Sequence, residues 1–113
     1  AAVVALAAAI VGGPAQADPR GMWKRPNGDT VHVTAGSGRL MCRITKGKMS
    51  GLEICNGMSG SGDTWRGPAM KHPDMPGFMS FNGTVSVAGN ALSIKGCAIG
   101  QSVCDRETWT RVK

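Results

Sequence analysis

The sequence predicts a small all-β protein, an antiparallel meander that closes as a barrel or folds as a sandwich. After Asp18 no window of ten residues carries an apolar stripe at helical spacing, and glycine recurs in nearly every ten. Short alternating runs bounded by turn residues take the place of helices. The last run, Glu107–Val112, predicts barrel closure if it lies beside the first strand. Trp23 would then stack under Arg111, with Trp109 on the closing strand.

The predicted strands follow one another at short intervals, and roughly seven to nine of them fit in the chain. Two glycine-containing segments are interpreted as turns rather than strands: Asn56–Asp63, and Asn82 with Gly83. The predicted strands cover Met22–Arg25, Thr30–Ala35, Arg39–Thr45, Trp65–Arg66, Gly77–Asn82, Thr84–Val87, Ala91–Lys95 and Glu107–Val112. Gly51–Cys55 is either a further short strand or an irregular crossing.

The first 17 residues differ in composition from the rest. They carry no charge and end in Ala15-Gln16-Ala17, a pattern typical of a secretory signal peptide whose basic n-region is missing. Residues 18–113 would then form a single β-barrel domain that keeps all 13 basic and 7 acidic side chains, a net charge of +6. We therefore expect an exported protein, periplasmic or secreted, and a monomer.

Four cysteines in an exported chain predict two disulfides, which would stabilise a domain too small for a large core. Three pairings are possible. The simplest hypothesis pairs neighbours, Cys42 with Cys55 and Cys97 with Cys104. A zinc site is disfavoured, because no two cysteines are spaced as Cys-x-x-Cys.

Several segments resemble the bacterial family called domain of unknown function 2147. They include Gly21-x-Trp23, Cys55-Asn56-Gly57-Met58, Gly62-Asp63-Thr64-Trp65-Arg66-Gly67, Leu92–Cys97 and Cys104–Val112. The resemblance spans residues 18–113 and implies a lipocalin-like barrel in the periplasm with no assigned activity. This chain departs from the family pattern in the short Lys46–Ser50 segment and in having no tyrosine before Pro73.

Catalytic chemistry finds little support in the sequence, so we expect no enzyme activity and no cofactor. Neither a serine nor a cysteine stands in a Gly-x-Ser-x-Gly context. His32 lies in the middle of a predicted strand, and the carboxylates Asp63, Asp74, Asp105 and Glu107 lie in or beside turns as turn-forming or solvated groups. Nucleic acid is disfavoured as a partner because aromatic residues are scarce beside the basic ones.

Three binding hypotheses remain. The first is a small apolar or amphipathic ligand inside the barrel, lined by Met41, Met79 and Phe81. The second is an envelope structural or stress-related interaction protein without a ligand cavity. The third is periplasmic Cu(I) binding through Met70, His72 and Met75. Independently of these hypotheses, the basic residues Arg39, Arg43, Lys46 and Lys48 would attract an anionic envelope component or simply solubilise the domain.

Overall fold

The chain forms an eight-stranded antiparallel β-barrel in which each strand pairs with its neighbours in sequence. The computed structural model describes residues 18–73, 75, 79–98 and 103–112. The strands are β1 (Gly21–Lys24), β2 (Thr30–Gly36), β3 (Arg39–Lys46), β4 (Glu53–Ser61), β5 (Thr64–Met70), β6 (Phe81–Ala88), β7 (Ala91–Ala98) and β8 (Val103–Val112). The predicted all-β fold is confirmed, and the sheet closes as a barrel rather than a sandwich. The proposed signal segment, residues 1–17, lies outside the described residues.

Closure joins the first strand to the last. Met22 pairs with Val112, Trp23 with Arg111 and Lys24 with Thr110. Because β1 has four residues and β8 has ten, this pairing covers only the end of β8. Over the described residues no helix is long and apolar enough to cross a membrane.

The core fills the barrel with side chains that alternate along each strand. In β6, Phe81, Val85 and Val87 are buried while Asn82, Ser86 and Ala88 are exposed. Trp23 and Trp109 are the largest of the fully buried side chains. This alternation of two is what an antiparallel sheet with one buried face requires.

The predicted turn at Asn56–Asp63 is wrong, because β4 continues through Ser61 and the turn itself is Gly62-Asp63. Met58 is fully buried and pairs with Leu40, which fixes this polar segment against β3. Gly57 and Gly60 have positive φ angles of 69° and 155°. A β-bulge accommodates such residues, and the pairing of β3 with β4 is indeed irregular next to Leu40.

The predicted turn at Asn82-Gly83 is also wrong, because both residues lie within the continuous strand β6. Gly83 faces the interior, where a Cβ atom would lie 2.6 Å from the sulfur of Met70. The glycine therefore provides space for a core side chain rather than a turn. Met79 and Ser80 precede β6, whereas Gly77 and Phe78 lie outside the described residues.

Both disulfides join strands that are neighbours in sequence, as the simplest pairing hypothesis predicted. Cys42–Cys55 links β3 to β4, and Cys97–Cys104 links β7 to β8. The first is wholly buried in the core. Among the described residues no cysteine is free.

Candidate ligand-binding surface

The interior offers little space for a ligand. Among the cavities that the described residues form, the one reaching Ile54, Met70 and Ile94 has a volume of about 30 Å³, room for one or two water molecules. Of the predicted lining residues, Phe81 is buried in the core and Met79 is partly buried against it. Met41 lies on the outer face between Arg39 and Arg43, where its sulfur accepts a hydrogen bond from the Gly57 amide at 3.0 Å.

A polar cluster that the sequence analysis did not predict lies inside the barrel. Arg25 donates to both carboxylate oxygens of Glu107 at 2.8 and 3.1 Å and to Asp29 at 2.9 Å. The Trp109 indole donates to the same Glu107 at 2.6 Å. Hydrogen bonding to Glu107 raises the pKa of Arg25, so its charge is fixed. Glu107 lies in the predicted last strand, but it has an ion partner, so the interpretation as a solvated carboxylate beside a turn is wrong.

The sequence did contain one signal for this cluster. Glu107, Trp109 and Arg111 alternate along β8, so a buried Trp109 places Glu107 on the inward face. A carboxylate at such a position needs a cationic partner. Nothing local in the sequence identifies that partner as Arg25, which lies 82 residues earlier.

At the opposite end from the Trp23–Arg111 pair, His72 and Asp105 interact at 2.7 Å. This contact, with a second hydrogen bond from the Arg106 amide, lowers the pKa of Asp105. Asp105 also departs from the turn prediction, because it lies within β8. Asp63 does lie in a turn, His32 is exposed on the outer face of β2, and Asp74 lies outside the described residues.

The proposed copper ligands occupy different environments. Met70 is buried in the core, where it lies close to Gly83 and Gly96, whereas Met75 is 47% exposed. His72 is held by Asp105. No group of three or more His, Cys, Asp or Glu side chains suited to a metal ion exists in the part of the chain that the structure describes.

The predicted cationic group is partly neutralised. Arg43 forms an ion pair with Glu53 at 3.2 Å, and Arg39 donates to the Gly57 carbonyl at 3.2 Å. Lys46 ends β3 and Lys48 lies in the following turn, both exposed. Two of the four cations thus have a partner on their own surface.

A larger polar groove crosses the outer faces of β5, β6, β7 and β8, with a volume of about 760 Å³. Strand register places Arg66, Thr84, Lys95 and Arg106 in one row across it, because each pairs directly with the next. A parallel row of hydroxyls, formed by Ser86, Ser93 and Thr108, lies two residues further along the strands. We call the surface formed by these two rows the outer groove.

The cations of the outer groove have no carboxylate partner among the described residues. None of the described carboxylates lies within ion-pair distance of Arg66, Lys95 or Arg106. Glu107 contributes to the lining, but Arg25 holds its carboxylate. Neighbouring strands lie about 4.8 Å apart, so Lys95 and Arg106 are close enough for one anionic group and Arg66 stands about 10 Å from Lys95. Such an array suits a ligand with several anionic groups and hydroxyls along its length.

The sequence could not reveal this row, since its members are scattered from Arg66 to Arg106 and only the register aligns them. Comparison with protein-family models, with curated proteins and with solved structures finds no match. The resemblance to the family of unknown function therefore stays a prediction, and the site stands on its geometry alone.

Proposed function

We propose that this protein is an exported, non-catalytic binding module for an anionic polymer of the cell envelope, held on the outer groove. The row of Arg66, Lys95 and Arg106 carries this proposal, because three cations that no described carboxylate neutralises line a groove of about 760 Å³. The two disulfides support an oxidising compartment outside the cytoplasm. Because the interior is filled, an interaction protein without a ligand cavity is favoured, and a carrier of small apolar molecules is disfavoured.

The ligand class follows from the groove's two rows. Guanidinium and ammonium groups bind carboxylates and phosphates, while serine and threonine hydroxyls exchange hydrogen bonds with sugar hydroxyls. An acidic glycan presents both kinds of group along an extended chain. We therefore propose a carboxylated or phosphorylated glycan as the natural ligand.

The test uses polygalacturonate as a carboxylated glycan, inorganic polyphosphate as a non-sugar polyanion and dextran as a neutral glycan. Binding is measured by titration calorimetry at about 50 and about 200 mM salt, because ionic contacts weaken as screening increases. We expect polygalacturonate to bind, polyphosphate to bind more weakly and dextran not to bind.

The decisive variant combines Arg66→Gln, Lys95→Gln and Arg106→Gln. A matched control also removes three positive charges, but outside the groove, by Arg43→Gln, Lys46→Gln and Lys48→Gln. Loss of three charge contacts should weaken polygalacturonate binding about tenfold in the groove variant, with little change in the control. Equal losses in the two variants would show that only net charge matters and would overturn the proposed site.

A further inference from the structure

Over much of its length, one edge of β8 has no strand partner in the part of the chain that the structure describes. β1 pairs with β8 only from Thr110 to Val112, so residues 105–109 have β7 on one side and no described strand on the other. The chain that follows β1 cannot fill the gap, because it folds into its own turn. There the Arg25 amide bonds to the Asp29 carbonyl and the Gly28 amide bonds to the Arg25 carbonyl. We call residues 105–109 the open edge.

The pairing pattern shows which backbone groups face outward along this edge. The Arg111 amide bonds to the Asn90 carbonyl at the β6–β7 turn, so odd-numbered residues of β8 direct their backbone groups toward β7. The Cα atoms of Cys97 and Cys104 lie 4.0 Å apart, as expected for a pair that does not exchange ladder hydrogen bonds. Arg106 and Thr108 therefore direct their N–H and C=O groups away from β7. The Arg106 amide finds a substitute acceptor in the Asp105 carboxylate at 3.0 Å.

Space for an added chain is present at the Thr108 end of this edge. A groove of about 580 Å³ runs between the end of β1 and β8, with Lys24 and Pro26 on one side and Thr108 and Thr110 on the other. An extended peptide there would continue the ladder from β8, as in other complexes formed by strand addition.

A second copy of this chain is a poor occupant. A two-fold antiparallel pairing within residues 105–109 can be centred on Arg106, on Glu107 or on Thr108. The first centre places Arg106 opposite its own copy, and the second places Glu107 opposite its own copy. The third places Arg106 opposite Thr110, whose outer edge already pairs with Lys24 of β1. Like charges directly opposite each other destabilise a strand pair.

The charges at the open edge indicate a different partner. Asp105 interacts with His72, and Glu107 is held by Arg25, so both carboxylates are already compensated. Arg106 and Lys24 are exposed, and neither forms an ion pair with a described carboxylate. We propose that the open edge of β8 binds an extended acidic peptide segment, which adds a strand beside Arg106 and Thr108 and places a carboxylate opposite Arg106.

The test measures amide hydrogen exchange by NMR with three capped seven-residue probes. One alternates glutamate with valine, the second alternates lysine with valine, and the third is the glutamate peptide with a central proline, which cannot complete the ladder. We expect the first probe to slow exchange of the Thr108 amide about tenfold and to leave the Trp109 amide unchanged, because Trp109 already bonds to β7. The lysine and proline probes should have no effect.

Two substitutions of Thr108 separate backbone pairing from the hydroxyl. Thr108→Val keeps the amide and should bind the glutamate probe as the wild type does. Thr108→Pro removes the amide at an edge position that tolerates proline and should weaken binding about fivefold or more. Should Thr108→Pro fail to fold, Arg106→Glu provides the second test, since it should transfer binding from the glutamate probe to the lysine probe.

The proposal is overturned if the glutamate probe leaves Thr108 exchange unchanged at millimolar concentration, if the lysine probe protects it equally, or if Arg106→Glu leaves the preference unaltered. The outer groove is tested separately, because Arg66→Gln with Lys95→Gln should weaken polygalacturonate binding and leave peptide binding intact. Failure of the polymer proposal therefore does not imply failure of this one.

Discussion

The guanidinium of Arg111 lies 4.3 Å from the ring centroid of Trp23, and the two residues pair directly across the closing strands. Arg111 also donates to the Asp18 carbonyl at 2.8 Å and to the Gly89 carbonyl at 3.3 Å. One side chain thus ties the segment before β1 and the β6–β7 turn to the indole. Replacing Arg111 by methionine keeps an apolar stem but removes all of these contacts.

We expect Arg111→Met to lower the free energy of unfolding by about 1–3 kcal/mol, the combined loss of a cation–π contact and hydrogen bonds. In a domain of this size that corresponds to a fall of about 5–15 °C in melting temperature. Arg111→Lys is the control, because it keeps the charge and loses the planar donor fork, and its loss should be smaller. A melting temperature unchanged in Arg111→Met contradicts the assigned role.

The contact of Met70 with Gly83 predicts sensitivity to a single methyl group. A Cβ at position 83 would lie 2.6 Å from the Met70 sulfur and 3.0 Å from its Cβ, so Gly83→Ala forces the core apart. We expect a loss of about 1–3 kcal/mol from overpacking, measured by urea unfolding. Gly36→Ala is the matched control in a strand, since nothing lies within 4 Å of its added Cβ, and it should change stability by less than about 0.5 kcal/mol. Equal effects of the two substitutions would argue against tight packing at Gly83.

The ion pair of Arg25 and Glu107 predicts that substitutions at these two residues have non-additive effects on the free energy of unfolding. The side chains are 6% and 29% exposed, so Arg25→Met leaves carboxylates poorly solvated and without their cation. We expect this variant to lose about 3 kcal/mol. Adding Glu107→Met removes the main uncompensated charge and should recover part of the loss, which a double-mutant cycle measures directly. A double variant less stable than Arg25→Met alone would contradict this account.

The His72–Asp105 contact predicts a dependence of stability on acid pH. The folded-state pKa of Asp105 is lowered, so its contribution is fully present above the unfolded pKa, about 4, and is lost as pH falls through the folded value. The side chain is 69% exposed, so solvent and salt weaken the effect. We expect the stability difference between the wild type and Asp105→Asn to shrink between about pH 5 and about pH 2.5 in urea titrations. If the stability difference stays constant over this pH range, the charge of the Asp105 carboxylate does not contribute to stability.

Alternation and turn composition were sufficient to predict much of the fold. Val31 and Val33 face the core and His32 faces solvent, as the period of two requires. Local propensity failed where tertiary packing determines the structure. The glycines of residues 56–61 lie in an irregular strand, and Gly83 allows close packing of Met70. In the sequence alone, glycines with these roles cannot be distinguished from turn glycines.

The candidate site was less predictable than the fold, because it depends on register. The predicted basic cluster lies within residues 39–48 and can be found by composition alone. The row of Arg66, Lys95 and Arg106 exists only because three strand pairings align residues far apart in the chain. One-residue shifts in any of those pairings would turn a cation to the opposite face.

The positions of the disulfides determine the order in which this molecule can acquire its structure. Cys42–Cys55 and Cys97–Cys104 each span one hairpin, with separations of 13 and 7 residues. Arg111 reaches a carbonyl 93 residues earlier, a loop far slower to close than either hairpin. Each hairpin can therefore be oxidised as soon as its two strands meet, while the seam between β1 and β8 is still open. The disulfides thus stabilise two separate hairpins but do not join β1 to β8. Closure of the barrel depends on the noncovalent contacts of β1, a strand of four residues.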